Sequence, residues 1–348
     1  MNDSLIGDIA QCIAEFDSGH ANPSFLRLSG GGNNQSFRFT QNGRHYFVKR
    51  YFSHPSDTRD RQGNELRFLS LLQQHQIADV PQVLGYDLRS RFTIFNYIAG
   101  TKLESSAVSD KEISALANFF IKINTLRSTP EATNITVASE SFFSLPEHLT
   151  CVSNRLDRLN KVDELSEFGK QLSVLVRNRL LPFFQTEHGR LTASSMKYEG
   201  YWNDISTDRS LRVLTPSDFG FHNTLFFSGS LYFLDFEYAG WDDPAKTICD
   251  LFWQVSHPLT EAQVRLFFDL LQSDFVKPDR HLLQRINTLL PIYGVKWCCI
   301  VLNHFTTQDR QRKQFSQSDS LSEVALNQQL QKAEKIVEKL ETRKEWLF

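Results

Sequence analysis

The alternation of hydrophobic and polar positions divides the chain into a strand-rich start and a helix-rich remainder. Residues 5–16 space their apolar side chains as a short amphipathic helix does. Residues 25–28, 36–40 and 45–51 then read as strands: Phe37 and Phe39 alternate with polar neighbours, and Asn42-Gly43 is a strong hairpin-turn signal. These runs predict a three-stranded antiparallel meander whose first corner is Ser29-Gly30-Gly31-Gly32-Asn33-Asn34. Over 57–75 the period changes. Leu66, Leu69 and Leu72, with Phe68 and Leu71 beside them, make a helical stripe with Glu65 at its start. Two more strands are expected at 82–87 and 92–97, after which Ile98-Ala99-Gly100 breaks the pattern.

From there to about 190 the chain reads mostly as helix, with Ile113, Leu116, Ala117, Phe120 and Ile123 on one face and Leu172, Leu175, Val176 and Arg179 on part of another. Residues 211–240 interrupt the helices with a strand at 211–214 and a hairpin, 224–227 and 231–236, around Ser228-Gly229-Ser230. The last helix, about 320–345, spaces Leu326, Leu330, Ala333, Val337 and Leu340 alternately four and three apart. Two heptads are too few for a coiled coil, so a helix packed on the flank is expected. The pattern implies an α+β chain of two lobes, 1–97 and 98–348.

Composition agrees. At roughly 150 residues per domain, 348 residues allow about two units. The chain is 41% hydrophobic and 22% charged, which is globular, and its net charge of −2 excludes a protein whose main work is coating nucleic acid or an anionic membrane. Phe is abundant at 29 residues, read as core packing first and ligand stacking second. The five cysteines are widely spaced with no C-x-x-C, which argues against a disulfide framework or zinc site. The first sixteen residues lack the basic and long apolar regions of a secretory signal, and no uncharged apolar stretch reaches the ~18 residues of a membrane span. A cytoplasmic compartment is expected, with neither nucleic acid nor membrane as partner.

The richest segment is 215–238, Thr-Pro-Ser-Asp-Phe-Gly-Phe-His-Asn-Thr-Leu-Phe-Phe-Ser-Gly-Ser-Leu-Tyr-Phe-Leu-Asp-Phe-Glu-Tyr. Asp218 sits in a polar turn after a strand, Asn223 opens the next strand, and Asp235 lies near the end of an apolar one. A carboxylate among Leu and Phe is costly to bury unless a cation meets it. Asn223 and Asp235 can together offer oxygen ligands to Mg²⁺, an ion that takes one or two carboxylates plus phosphate oxygens and water. Asp218 would then be free to orient a hydroxyl or accept its proton. Plainer roles exist for each residue alone: a turn cap for Asp218, a loop hydrogen bond for Asn223, an ion pair for Asp235. The glycine turn, Gly30-Gly31-Gly32 followed by Asn33-Asn34, lets backbone N–H groups approach a phosphate closely, although no Walker G-K-[ST] follows. Lys49 lies mid-strand, where a lysine is usually solvent-facing, yet Glu65 on the next helix can pair with it. A Lys–Glu pair beside a phosphate-cradling turn is what phosphoryl transfer needs.

The order glycine-rich hairpin, strand Lys, helix Glu, hinge, helices, Asp-x4-Asn, hairpin and Asp resembles the protein-kinase-like superfamily, and within it the aminoglycoside phosphotransferase and choline kinase branch. The residues that carry the resemblance are Ser217-Asp218-Phe219-Gly220-Phe221-His222-Asn223 and Leu234-Asp235-Phe236-Glu237-Tyr238-Ala239-Gly240-Trp241-Asp242-Asp243-Pro244-Ala245, with Asp250 following. It covers roughly 25–260. It implies a bilobal protein-kinase-like fold, a small antiparallel-sheet N-lobe and a larger helical C-lobe, with ATP and Mg²⁺ as cofactors. Lys49 would hold the α- and β-phosphates with Glu65 as partner, beneath Gly31, Gly32, Asn33 and Asn34. Asp218 would be the catalytic base, Asn223 and Asp235 would bind Mg²⁺, and the backbone of Asn96-Tyr97-Ile98 would meet adenine. Asp250 would brace the catalytic loop. The chain departs from the branch at Pro216 and Ser217, where a histidine and a glycine usually stand.

In that branch the acceptor pocket involves an insert before the catalytic loop, here about 128–210. Tyr201, Trp202, Tyr238, Trp241, Trp253 and Trp297 are candidates for a cage around a quaternary ammonium, or are simply core aromatics. The expected activity is transfer of the ATP γ-phosphate to a small-molecule hydroxyl, such as that of a sugar or amino alcohol. Competing readings are a nucleotide-binding pseudokinase with a scaffold role, which would be expected to lack one of Lys49, Asp218 or Asp235, and a protein kinase, which would need an Ala-Pro-Glu-bounded activation segment. The sequence leaves the oligomeric state open.

Overall fold

The computed structural model describes residues 3–17, 23–28, 32–55, 57, 59–162, 166–316, 322–343 and 345–346. The chain opens with helix α1 (Asp3–Ala14), then β1 (Ser24–Leu28), β2 (Gln35–Gln41), β3 (Arg44–Arg50), α2 (Arg61–Gln74), β4 (Val83–Asp87) and β5 (Phe92–Asn96). All strand pairs are antiparallel, in the order β1-β2-β3-β5-β4. The predicted turn between β2 and β3 holds Asn42 and Gly43 at φ 54° and 76°, left-handed values that suit this dipeptide.

Strand periodicity sorts the two faces of the sheet. Phe37, Phe39, Tyr46, Val48, Phe92 and Ile94 cluster with Leu5, Ile9 and Ile13 of α1. Lys49, one step out of phase with Val48, therefore faces the other way, flanked in register by Ser36 and Thr93. That is the face α2 covers, and α2 brings Glu65 to it.

The C-lobe follows with α3 (Asp110–Asn124), α4 (Leu145–Leu159), α5 (Glu167–Leu175), α6 (Leu181–Ala193), α7 (Ser195–Glu199), α8 (Asn203–Thr207), β6 (Val213–Thr215), β7 (Thr224–Phe227), β8 (Ser230–Phe233), β9 (Gly240–Asp242), α9 (Pro244–Trp253), α10 (Glu261–Leu270), α11 (Leu282–Leu302), α12 (Thr307–Ser316) and α13 (Glu323–Thr342). Two-stranded ribbons pair β6 with β9 and β7 with β8. The phenylalanine excess is core: Phe119, Phe120, Phe219, Phe233, Phe267 and Phe275 interlock at centroid distances of 3.8 to 6.3 Å. The flank helix is α13, which packs Leu330, Ala333, Val337 and Leu340 inward beside α11. Among the described residues Leu282–Phe305 is the one helical stretch long and apolar enough to cross a membrane, and 83% of its most apolar window is buried within the protein.

The predicted 231–236 strand ends earlier, at Phe233. Asp235 has φ 65°, a left-handed conformation that breaks the ladder. Asn223 likewise lies in a one-turn 3₁₀ segment, Phe221–Asn223, just ahead of β7 rather than on it.

Candidate active site

The site forms where the sheet lobe meets the β6–β9 region. Lys49 Nζ donates to Glu65 Oε2 at 2.8 Å and to Asp235 Oδ1 at 2.7 Å, and lies 3.6 Å from Glu237 Oε2. Glu65 is itself clamped, accepting from the Tyr51 hydroxyl at 2.6 Å and from the Phe236 backbone N–H at 3.0 Å. One lysine thus faces three carboxylates. Burial alone would lower the Lys49 ammonium, but Asp235, Glu65 and Glu237 override it and hold it well above its ordinary value. Burial lifts the Asp235 carboxyl to about 6, against the pull of Lys49 and with Glu237 and Glu65 adding to the rise. Burial raises Glu237 as well, yet Lys49 and Arg61 leave it below its ordinary value.

Glu237 ties the two lobes together. It accepts from Asn34 Nδ2 at 2.6 Å and from Arg61 at 2.7 Å, and Arg61 also donates to the Tyr238 hydroxyl at 2.6 Å and to Asp57 at 2.8 Å. Asn34, read from sequence as part of a phosphate-cradling backbone, is a buried strut whose Oδ1 also takes the Phe52 N–H at 3.1 Å. Asn33 donates to the Tyr238 hydroxyl at 3.3 Å. Gly32 adjoins α12 through Ser316 Oγ, which donates to its carbonyl at 3.3 Å. Gly31 lies outside the described residues.

The catalytic-loop candidate is pinned by its phenylalanines. Phe219 and Phe221 plunge into the core, which turns Asp218 and His222 outward. Asp218 is bonded by His222 Nε2 at 3.0 Å, and 41% of its side chain stays exposed. Burial raises its carboxyl, but the charge and hydrogen bond of His222, with Asn223 and Lys246, bring it below the ordinary value. Asn223 Nδ2 donates to Asp218 O at 2.9 Å, and its backbone carbonyl accepts from Leu234 N at 2.8 Å, which sets it against the residue before Asp235. The loop bond foreseen for Asn223 is therefore made by its nitrogen, leaving the amide oxygen for another role.

Ser217 stands where the resembling branch has glycine, at φ 70°. A left-handed serine costs roughly 1 kcal/mol. It is held by Lys246 Nζ, 3.1 Å from its Oγ. Lys246 also binds Asp242 Oδ2 at 2.8 Å and lies 3.4 Å from Asp250 Oδ2. Asp250 thus reaches the catalytic loop through Lys246 rather than directly. Sequence reading missed Lys246, although a lysine in an apolar helix with aspartates four residues to each side was a usable signal. It gave no role to Arg61 or to α12, whose partners are remote in the chain. Asn96, Tyr97 and Ile98 lie apart from this cluster. Asn96 Oδ1 accepts from Gln82 N at 2.7 Å, and the Tyr97 and Ile98 peptide groups have no backbone partner among the described residues.

A cavity of about 260 Å³ opens beside Asp218. Its wall at Ser139 and Glu140 is delivered by a segment that docks on β9, with Ala138 N donating to Trp241 O at 2.9 Å and Trp241 N to Thr136 O at 2.9 Å. Gly240 permits this approach: a Cβ there would lie 2.4 Å from Thr136 O and 2.5 Å from Ala138 N. Gly240→Ala is expected to cost about 1–3 kcal/mol by overpacking. Denaturant unfolding checks this. Of the aromatic candidates only Tyr238 and Trp297 line the cavity. Trp202, Trp241 and Trp253 are core. A larger cleft of about 500 Å³, between α2, β4 and residues 131–135, gathers none of these residues.

Among the described residues no group of three or more His, Cys, Asp or Glu side chains could hold a metal alone. The Asp235 carboxylate and the Asn223 amide oxygen are hard donors that fit Mg²⁺ when phosphate oxygens and water complete the shell. Asp235, Glu65 and Glu237 crowd around the single Lys49 ammonium, and a bound cation would relieve that crowding.

The fold and this cluster define a kinase-like phosphotransferase. The chain belongs to the phosphotransferase enzyme family, whose sequence model matches residues 24–282. No curated protein matches it. Among solved structures it is similar to choline kinase from Cryptosporidium parvum Iowa II (TM-score 0.60, 13% identity, 97% of this chain and 96% of that one). It is also similar to spectinomycin phosphotransferase in complex with ADP and spectinomycin (0.58, 14%, 92% and 93%) and to choline kinase LicA from Streptococcus pneumoniae (0.56, 18%, 94% and 98%). At these identities the likeness shows the shared bilobal fold.

Proposed function

We propose that the chain transfers the γ-phosphate of ATP to a hydroxyl group of a small metabolite. The observation that carries this reading is convergence. Lys49 and Asp235, 186 positions apart, meet at 2.7 Å, and Asp218 is bound to the same corner through Asn223. In the proposed arrangement Lys49, fixed by Glu65, binds the α- and β-phosphates, and the 96–98 backbone receives adenine. Asn223 and Asp235 would hold Mg²⁺, which supplies charge neutralisation across the phosphates. Asp218 aligns the acceptor hydroxyl in line and takes up its proton. Its lowered pKa makes it a weak base, so most of its effect is orientation. The five unbridged cysteines fit a reducing, cytoplasmic setting.

The test is a Mg-ATP transfer screen over sugars, amino alcohols and aminoglycosides. Asp218→Ala is expected to lower turnover about 10²–10⁴-fold. Unchanged turnover in that variant removes Asp218 from the reaction.

A further inference from the structure

The phosphotransferase reading leaves the acceptor open, and the cavity beside Asp218 narrows it. Resting on that reading, we infer that the acceptor is an anionic hydroxylated metabolite, bearing a carboxylate or a phosphate ester. The walls gather six cationic side chains, Arg59, Arg155, Lys246, Lys296, Arg312 and Lys313. Four carboxylates share them, Glu140, Asp218, Asp250 and Asp309. Two of these cations are neutralised by carboxylates outside the lining, Arg59 by Asp57 at 2.6 Å and Lys246 by Asp242 at 2.8 Å.

The four carboxylates are already engaged. Glu140 pairs with Arg155 and lies 3.9 Å from Lys296. Asp250 accepts from Lys296 at 3.2 Å and from the Trp297 indole N–H at 2.8 Å. Asp309 meets Arg312 at 3.0 Å, and Asp218 meets His222 at 3.0 Å. Lys313 has no carboxylate within 4.0 Å among the described residues. Burial would raise the Glu140 carboxyl, yet Arg155 and Lys296 bring it to about 2. Burial, with Lys296 and Lys246, holds His148 well below its ordinary value.

Helix α12 supplies the roof. It reaches from the C-lobe to the sheet: Gln35 Nε2 donates to Phe315 O at 2.8 Å, Arg27 donates to Ser316 O at 2.7 Å, and Phe315 packs on Phe52 at 5.5 Å. This sets Lys313 Nζ 3.0 Å from where a Cβ on Gly32 would stand, at the glycine-turn side. Arg155, Lys246 and Lys296 come instead from α4, α9 and α11, beside Ser139, Ser217 and Asn303, whose hydroxyl and amide groups suit a polyol. A polycation would find the lining carboxylates Glu140, Asp250 and Asp309 already paired with the protein's own cations, and Lys313 unpaired among the described residues. A quaternary ammonium would find Tyr238 already covered by Arg59 and Arg61, at 5.3 and 5.1 Å, and Trp297 only 7% exposed.

The test uses the full chain with Mg²⁺ and ATP, reading ADP release, and nucleotide binding separately by calorimetry. Acceptors are offered as matched pairs, gluconate against sorbitol and glucose 6-phosphate against glucose within a wider panel of sugar acids and sugar phosphates. Choline and spectinomycin are the cationic comparators. The expected result is a kcat/KM at least tenfold higher for the anionic member of a pair, and the two arms separate carboxylate from phosphate. Lys313→Met is expected to shrink that ratio by raising the acceptor KM, and Lys313→Arg to restore it. Preferred transfer to neutral or cationic acceptors overturns the inference. So does Mg-ATP binding without transfer to any anion, or a Lys313→Met effect confined to the KM for ATP. Absence of nucleotide binding overturns the phosphotransferase reading itself.

Discussion

Asp235→Asn is expected to abolish phosphate transfer while making the ligand-free protein more stable. The two effects share one cause. Asp235, Glu65 and Glu237 crowd around Lys49, and burial together with that crowding lifts the Asp235 carboxyl from 3.8 to about 6. A group with a raised folded-state pKa stabilises most below its unfolded value, and that contribution is lost as pH rises through the folded value. Wild-type stability should therefore carry a declining component between pH 3.8 and about 6, and Asp235→Asn should lack it. The side chain is 37% exposed, so water screens the effect. It should be on the order of 1 kcal/mol, or roughly 1–3 °C at neutral pH. Asparagine tolerates the left-handed backbone at this position, so no new strain offsets the gain. The loss of transfer follows from removing the one carboxylate of the proposed Mg²⁺ donor set. Charge stabilisation by a catalytic metal is worth several kcal/mol, on the order of 10³-fold or more in rate. Thermal melts across pH without ligand, alongside an ADP-release assay, read both effects. A variant that melts lower than wild type at pH 7, or that retains transfer, contradicts this account of Asp235.

What made Asp235 legible in the sequence was local incongruity: a carboxylate after Leu231, Phe233 and Leu234 must meet a cation. Lys49, in a strand position that usually faces solvent, became legible through Glu65 on the next helix and the glycine turn beside it. The β1–β3 meander was legible because period 2 and Asn42-Gly43 agree on one register. Other parts are properties of contact rather than periodicity. Nothing within 307–316 announces that α12 returns to Gln35 and Phe52, because the partners lie about 280 positions away. Arg61 looked like an ordinary residue at a helix start, yet its partner Glu237 is 176 positions on. Aromatic residue type alone left both roles open for Trp202, Trp241 and Trp253, with core the favoured one in a Phe-rich chain, and packing shows that they are core. The end of β8 was overrun because the apolar pattern continues through Phe236 while the backbone turns left-handed at Asp235.

Arg285→Ala is expected to be the most damaging single change to the fold. Its guanidinium is fully buried and spans two aspartates, with Nε 2.8 Å from Asp243 Oδ2, Nη2 3.0 Å from Asp243 Oδ1 and Nη1 3.1 Å from Asp279 Oδ1. Nη1 also donates to Tyr201 O at 3.2 Å. Removing the one cation strands two buried carboxylates, and breaking a buried pair in this way costs about 3–5 kcal/mol. The cost reflects the abandoned charges more than any strength of the bridge, which gives the test its control. Replacing all three, Arg285→Met with Asp243→Asn and Asp279→Asn, should recover a good part of the loss, because no buried charge then lacks a partner. Urea unfolding of both proteins checks this, and a single-variant loss below about 1 kcal/mol contradicts the mechanism. Asp243 also caps α9, accepting from Ala245 N at 2.8 Å. That helix carries Lys246 to Ser217 and Asp250 to the cavity wall. The damage should therefore extend to chemistry: folded Arg285→Ala, measured well below its midpoint, should show a lower kcat because Ser217 loses the lysine that holds its left-handed turn beside Asp218. A folded variant with wild-type kcat would mean that α9 keeps its place without the arginine.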